Sequence, residues 1–276
     1  MTLAEVLSEA QDLSINSGML LQDFLYILQE VTGLSTPVIM LEKSRTLSEV
    51  EFQAWKEYAA RRLEGEPSQY IVGKACFYGR DFRVSSACLI PRPETEGLVE
   101  LAIRQLRGMK PKARILDIGT GSGVIAITLK LECPESTVHA TDISAEALQV
   151  ARINANALMS EVCYFQADLW PEQEDAYDMV ISNPPYVTEA EYEHLDAVVR
   201  DHEPKLALVA PDNGLAFYKR IFKELGSKMN KGGIALFEIG EKQTDDLVHI
   251  AQENGLQNSA IYKDLAGRDR YIMIRI

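Results

Sequence analysis

Apolar residues recur every three or four positions through the first 73 residues, alternate with polar ones over a short middle stretch, and then gather in blocks separated by helical spacing. Leu3, Val6, Leu7 and Ala10 share one helical face, as do Phe24, Leu25, Leu28 and Val31 in a segment that Gly33 stops. Thr46 with Glu49 three residues on is a capping-box pattern. It predicts a helix with Phe52, Trp55, Ala59 and Leu63 on one side, ended by Gly65 and Pro67. Residues 1–73 therefore read as a small all-helical domain. The stretch KACFYGRDFRVSSACLI alternates around Gly79, Arg80 and Asp81, the pattern of a β-hairpin, and Pro91 and Pro93 stiffen the chain on either side of Arg92. Residues 74–93 are thus a hairpin connector, and Glu94 to Arg107 continues as an amphipathic helix.

From Ala113 the blocks alternate in type. ARILDI, TVHATDI, VCYFQAD, DMVISNPPY and GIALFEI read as strands, with helices at VIAITLK, AEALQVARINANA, about 214–229 and about 243–254. Short apolar strands between helices mean parallel pairing, so residues 94–276 are expected to form an α/β domain with a doubly wound sheet. SAIYKD and RYIMIRI close the chain with too short a loop for a crossover helix, which predicts an antiparallel pair.

Composition narrows the class. The 276 residues are 46% hydrophobic and 25% charged, ordinary for a globular chain of about two domains. No apolar run approaches the roughly 18 residues of a membrane span. The first residues lack the basic and apolar regions of a leader, so a cytoplasmic protein is expected. The 28 Lys and Arg against 41 Asp and Glu leave a net charge of −13. That sign disfavours a protein that covers nucleic-acid phosphates. Cys76, Cys88, Cys133 and Cys163 form no CxxC pair, and the four histidines never fall at HxxxH spacing. Buried or half-buried free thiols are expected, and no metal.

The first βα turn carries Asp117-Ile118-Gly119-Thr120-Gly121-Ser122-Gly123. Glycines there permit backbone angles that a Cβ forbids and bring main-chain N–H groups close to a nucleotide-like ligand. Read from Gly121, the run Gly-Ser-Gly-Val-Ile-Ala also satisfies a dinucleotide pattern, so a nicotinamide cofactor stays open on this loop alone. Asp117 would repel a pyrophosphate but could receive the ammonium of a methionyl group. The D-x-G-x-G-x-G arrangement resembles the S-adenosylmethionine (SAM) site of class I methyltransferases. Asp142 ends the second strand, where a carboxylate can accept from ribose hydroxyls. Asp168 ends the third, placed to accept from an adenine amino group, with Leu169 or Trp170 packed on the ring. One such acid is commonly a helix cap; three at successive strand ends point to a bound nucleoside.

Asn183-Pro184-Pro185-Tyr186 falls at the carboxyl end of the fourth strand, on the rim where open α/β sheets bind ligands. The prolines make this turn rigid and supply no N–H, which leaves its carbonyls free to accept. Such a turn suits methylation of a planar NH2 group. The Asn183 side-chain oxygen and the Pro184 carbonyl would each take one N–H, and Tyr186 would offer a face to the planar group. The expected catalytic groups are Asn183 and Pro184, with Asn183 also beside the cofactor.

The segment CFYGRDFRVSSACLIPRPETEGLVE, with HEPKLALVAPDNGLAFYKR, GGIALFEIGEKQ and DLAGRDR downstream, resembles the HemK/PrmC family in order and spacing. These are the protein-(glutamine-N5) methyltransferases of bacterial release factors. The likeness runs from about Tyr70 to the C-terminus. It implies a Rossmann-like class I SAM-dependent methyltransferase domain at 94–276 and a helical substrate-recognition domain at 1–73. SAM would be held by Gly119 to Gly123, Asp142, Asp168 and Leu169. Asn183 to Tyr186 would hold the glutamine of the Gly-Gly-Gln loop of class 1 peptide chain release factors. Apart from this resemblance, a monomer is expected. NPPY is shared with adenine-N6 methyltransferases of nucleic acid, against which stand the net charge and Glu189, Glu191, Glu193 and Asp196 just downstream. A non-catalytic SAM- or NAD-binding module is the other alternative.

Overall fold

The computed structural model describes residues 1–109, 111–172 and 176–276. The chain forms two compact units, one of residues 1–74 with 196–202 and one of 75–195 with 203–276.

In the first unit α1 (Leu3–Ser17) opens on a Thr2–Glu5 capping box. It is followed by α2 (Leu21–Thr32), α3 (Thr36–Leu41), α4 (Glu49–Leu63) and α5 (Ser68–Val72). Leu3, Val6, Phe24, Leu28, Ile39 and Trp55 meet in its core. The helix expected after a Thr46 cap starts two residues later, on a Ser48–Glu51 box. Thr46 is instead held in a β-bridge to Thr2, and the buried Leu47 donates its N–H to the Met1 carbonyl. Leu63, expected inside, is exposed, and Arg62 takes the inward place with two hydrogen bonds to Asp23 Oδ2 at 3.1 and 2.9 Å. Either residue continues the Trp55–Ala59 face at helical spacing, and the acid on α2 selects the arginine.

The second unit begins with a hairpin of β1 (Lys74–Phe77) and β2 (Arg80–Arg83). Its turn is Tyr78–Gly79, both at positive φ (51° and 72°), one residue earlier than the alternation suggested. That is the two-residue turn whose twist matches paired strands. Phe77 and Phe82 from the hairpin join the core of the large sheet, so it is packed as part of this unit. Next come α6 (Pro93–Leu106), β3 (Arg114–Ile118), α7 (Val124–Glu132), β4 (Thr137–Asp142) and α8 (Ala145–Ala157). They lead to β5 (Val162–Gln166), β6 (Tyr177–Ser182) and α9 (Glu189–Tyr192). The chain then passes through α10 (Ala197–Arg200), which clusters with the first unit, and returns. It ends with α11 (Ala216–Lys228), β7 (Met229–Glu238), α12 (Thr244–Glu253), β8 (Asn258–Lys263) and β9 (Asp269–Arg275).

The seven-stranded sheet has the order β5-β4-β3-β6-β7-β9-β8. All pairs are parallel except β7–β9 and β8–β9, so the antiparallel close of the chain is present as expected. Ile115, Val138, Met179 and Leu236 face one layer, with α6 and α7 residues such as Leu98, Ala102 and Leu129. Leu116, Val180, Ala235 and Phe237 face the other, with Tyr218, Phe222 and Leu225 of α11 and Leu247 of α12. Helices on both faces explain why these strands read as unbroken apolar blocks. Two thiols depart from expectation: Cys76 and Cys163 are exposed. Cys76 alternates outward between inward Ala75 and Phe77, and Cys163 lies on the edge strand β5. No helix among the described residues is long and apolar enough to cross a membrane.

Candidate active site

Chain direction across the sheet reverses between β3 and β6: β4 and β5 extend one way from β3, β7 the other. Ligands of open α/β sheets bind at such a switch point, outside the carboxyl ends of the strands. Ile118 is in register with Ser182, whose Oγ donates to the Ile118 carbonyl at 2.6 Å. The next residues on these neighbouring strands are Gly119 and Asn183, so the glycine loop and the NPPY turn leave the sheet side by side. A cavity of about 580 Å³ opens there.

Gly119, Gly121 and Gly123 have φ of 71°, 56° and 85°, the left-handed region that a side chain disfavours. Around Gly119 a Cβ would meet nothing, whereas at Gly123 it would lie 2.9 Å from Ile127 Cδ1 and 3.1 Å from Ala151 Cβ. Gly119, Thr120, Gly121 and Ser122 line the cavity, and Gly123 lets α7 and α8 close up behind it. The loop is pinned: Gly119 and Thr120 donate their N–H groups to the Thr141 carbonyl, both at 2.9 Å, and Asn154 Nδ2 donates to the Ser122 carbonyl.

Asp117 lies beneath this loop, fully buried, and does not line the cavity. Its Oδ2 accepts from Thr120 Oγ1 at 2.6 Å and from the Ala126 N–H at 3.2 Å, while Oδ1 is buried with no partner. Burial pushes its carboxyl up to about 7. The residue expected to take an ammonium therefore holds the loop from behind. Asp142 does line the cavity, with Oδ2 accepting from the Gly121 N–H and Oδ1 from the Ser144 N–H. Burial raises its carboxyl too. Asp168 is at the cavity rim, half exposed and paired with Arg220 at 2.8 Å. Leu169 lines the cavity at φ 76°, its carbonyl held by Thr141 Oγ1 at 2.7 Å. Trp170 packs against the core instead, and is not on the cavity wall.

Asn183, Pro184 and Pro185 line the cavity; Tyr186 does not. Its ring packs on the core and its O–H donates to Glu238 Oε1 at 3.3 Å. The turn is braced from behind, since Gln243 Nε2 donates to the Tyr186 carbonyl at 3.2 Å and Val187 bridges to Val209. Asn183 Nδ2 donates to Thr95 Oγ1 at 3.1 Å, and no described residue donates to Asn183 Oδ1 or to the Pro184 carbonyl.

Thr95, Glu238 and Gln243 were not singled out by sequence reasoning. Glu238 is 1% exposed and its carboxyl, pushed up by burial to about 7, accepts from Thr95 Oγ1 at 2.8 Å. One signal was available: Glu238 is a fourth acid at the carboxyl end of an apolar strand, as Asp142 and Asp168 are. Thr95 on α6 and Gln243 before α12 carried no such mark of their own, though both lie in the segments that resemble the HemK/PrmC family, LIPRPETE and GGIALFEIGEKQ.

The cavity suits SAM. It pairs the Cβ-free backbone of Gly119 and Gly121 with a carboxylate at Asp142, and Cys88 Cβ stands 4.0 Å from where a Cβ on Gly121 would lie. Among the described residues no group of His, Cys, Asp and Glu could hold a metal ion. Residues 16–73 match the PrmC N-terminal domain family and residues 99–206 the Methyltransferase small domain family. Relatives include the release factor glutamine methyltransferase of Bacteroides thetaiotaomicron, 41% identical, the alignment covering 88% of each chain. That of Bacillus subtilis is 39% identical over 87% of this chain and 86% of its own. Among solved structures, a methyltransferase from Pyrococcus furiosus superposes with a TM-score of 0.52 at 18% identity, covering 72% of this chain and 90% of that one.

Proposed function

The chain belongs to the release factor glutamine methyltransferases, and on that footing we propose that it methylates N5 of the glutamine in the Gly-Gly-Gln motif of class 1 release factors, with Asn183 and Pro184 holding the amide. It is a SAM-dependent enzyme that modifies release factors on glutamine. The observation that carries the finer reading is the adjacency of the glycine loop to a turn whose Asn183 Oδ1 and Pro184 carbonyl accept from no described residue.

Bound SAM supplies an electrophilic methyl group on a sulfonium sulfur. The protein must present to it a nitrogen whose lone pair is delocalised into a carbonyl. With one N–H on Asn183 Oδ1 and the other on the Pro184 carbonyl, the face of the amide nitrogen turns into the cavity, toward the cofactor side. As the N–C bond forms and the S–C bond breaks, positive charge grows on the nitrogen. Both acceptors then bind its protons more strongly than in the ground state, which is where they accelerate transfer. One N–H proton leaves to solvent during or after transfer. On the cofactor side, Asp142 would accept from the ribose, Leu169 rather than Trp170 would cover the adenine, and Asp168, at the rim, would reach its amino group. Asp117 would order the loop without touching the cofactor.

The net charge of −13 supports a protein substrate over nucleic acid, and we extend the reading to a cytoplasmic monomer. Incubation with methyl-labelled SAM and a release factor, followed by mapping of the label, tests it. Label on the Gly-Gly-Gln glutamine is expected; label on DNA or RNA adenine instead would overturn it.

A further inference from the structure

An asparagine can catalyse this transfer only if its oxygen, not its nitrogen, faces the substrate N–H, and the two ends of the amide are nearly identical in shape. Something must break that degeneracy. Asn183 meets Thr95 Oγ1 at 3.1 Å, and Thr95 Oγ1 meets Glu238 Oε2 at 2.8 Å. Above about pH 7, where the Glu238 carboxyl is ionised, it only accepts, so the single Thr95 hydroxyl proton is spent on Glu238. Thr95 Oγ1 can then only accept from Asn183, which must offer Nδ2 and leave Oδ1 to the cavity. The carboxylate is itself held in place by the Tyr186 O–H on Oε1. Arg270, and the carboxylate of Glu94 opposing it, are the other charges acting on this buried site. Thr95 and Asn183 both line the cavity, and Glu238 stands behind them, buried.

We propose that Thr95, locked by Glu238, is a positioning residue that sets which way the Asn183 amide faces, and so selects an NH2-bearing substrate group. This rests on the role given to Asn183 above and adds the device that makes that role possible. A site that has lost it would still bind cofactor and docked release factor. It would present the wrong end of the amide in part of its population, lowering kcat rather than raising KM.

The test uses the full chain with SAM and release factor. Thr95→Val keeps the shape and removes the hydroxyl; Thr95→Ser keeps the hydroxyl. The expected result is a fall in kcat of at least about 10-fold for Thr95→Val, with the release-factor KM and the calorimetric Kd for SAM within about 3-fold of the parent. Thr95→Ser should stay within about 3-fold in all three. If melting shows Thr95→Val to be unfolded, Thr95→Ala is read the same way. A hydroxyl-free variant that turns over within about 2-fold of the parent overturns the proposal, as does a loss of cofactor affinity equal to the loss of kcat. Asn183→Ala separates the two levels. If it is inactive while Thr95→Val is active, only the positioning role falls; if it is active, the reading of Asn183 falls and takes this one with it.

Discussion

A Cβ on Gly214 would lie 2.1 Å from the Tyr186 carbonyl oxygen, with Gly214 at φ 80°. The loop before α11 therefore abuts the backbone of the NPPY turn, and only glycine permits the approach. Gly214→Ala should displace the turn by way of Tyr186. Adding a side chain at positive φ against backbone that cannot yield costs about 2–4 kcal/mol. Turnover should fall at least about 10-fold, because a misplacement of about 1 Å can cost about 100-fold. Cofactor titration should move far less, since Gly214 lines no part of the cavity. Equal losses in cofactor binding and turnover would contradict this.

Asp142 performs two tasks, holding the Gly121 and Ser144 N–H groups and lining the cavity. Asp142→Ala removes both, leaving donors of the loop unpaired at about 1–3 kcal/mol each. Isothermal titration should show SAM affinity reduced by about 10- to 100-fold or more, at one RT ln 10 per about 1.4 kcal/mol. Asp168→Ala, whose carboxylate is exposed and already paired with Arg220, should cost less.

The carboxyls of Asp117 and Glu238 are each raised by burial to about 7, above their unfolded values of about 4. Between these values the folded state holds protons that the unfolded state has released. These two groups therefore stabilise the fold most at low pH, lose that contribution as pH rises from about 4 to about 7, and contribute no further slope above it. Denaturant titrations at pH 5, 6, 7 and 8 should show the decline. Asp117→Asn, which retains an acceptor toward Thr120 and Ala126, should flatten it. An unchanged slope in that variant would sink the assignment.

Arg62 is 5% exposed and bonded twice to Asp23. Arg62→Ala leaves the acid facing a void in the helical unit. Removing one partner of a buried pair costs about 3–5 kcal/mol; with Asp23 partly open to water, about 2–3 kcal/mol is expected. A shift of the denaturation midpoint equivalent to about 0.5 kcal/mol or less, the size expected for an exposed arginine, would refute it.

Much of this was legible in the chain. Period alone located the strands and helices of the large sheet, because elements covered on both faces must be apolar along their whole length. The Asp117–Gly123 loop and Asn183–Tyr186 could be read because glycine at positive φ and paired prolines are written in residue type itself. Local rules failed where two neighbours were equally good. Thr46 and Ser48 both start a capping box, and Leu63 and Arg62 both continue one helical face; contacts with Thr2 and Asp23 decided. Leu169 and Trp170 likewise stood equal until the backbone at φ 76° put Leu169 on the cavity wall.

By itself, then, the sequence determined the kind of chemistry: a nucleoside-binding loop, a turn of hydrogen-bond acceptors, and a doubly wound sheet to carry them. The tertiary structure decided the roles within it. Asp117 went under the loop, Tyr186 packed against the core, and Thr95 came to stand beside Asn183 with Glu238 behind, 88 and 55 residues from Asn183 along the chain. Side-chain partners so distant leave no trace in local spacing. Strand order sets β6 beside β7, and hydrogen bonds from Thr95 to Glu238 and from Asn183 to Thr95 hold the first turn of α6 against both.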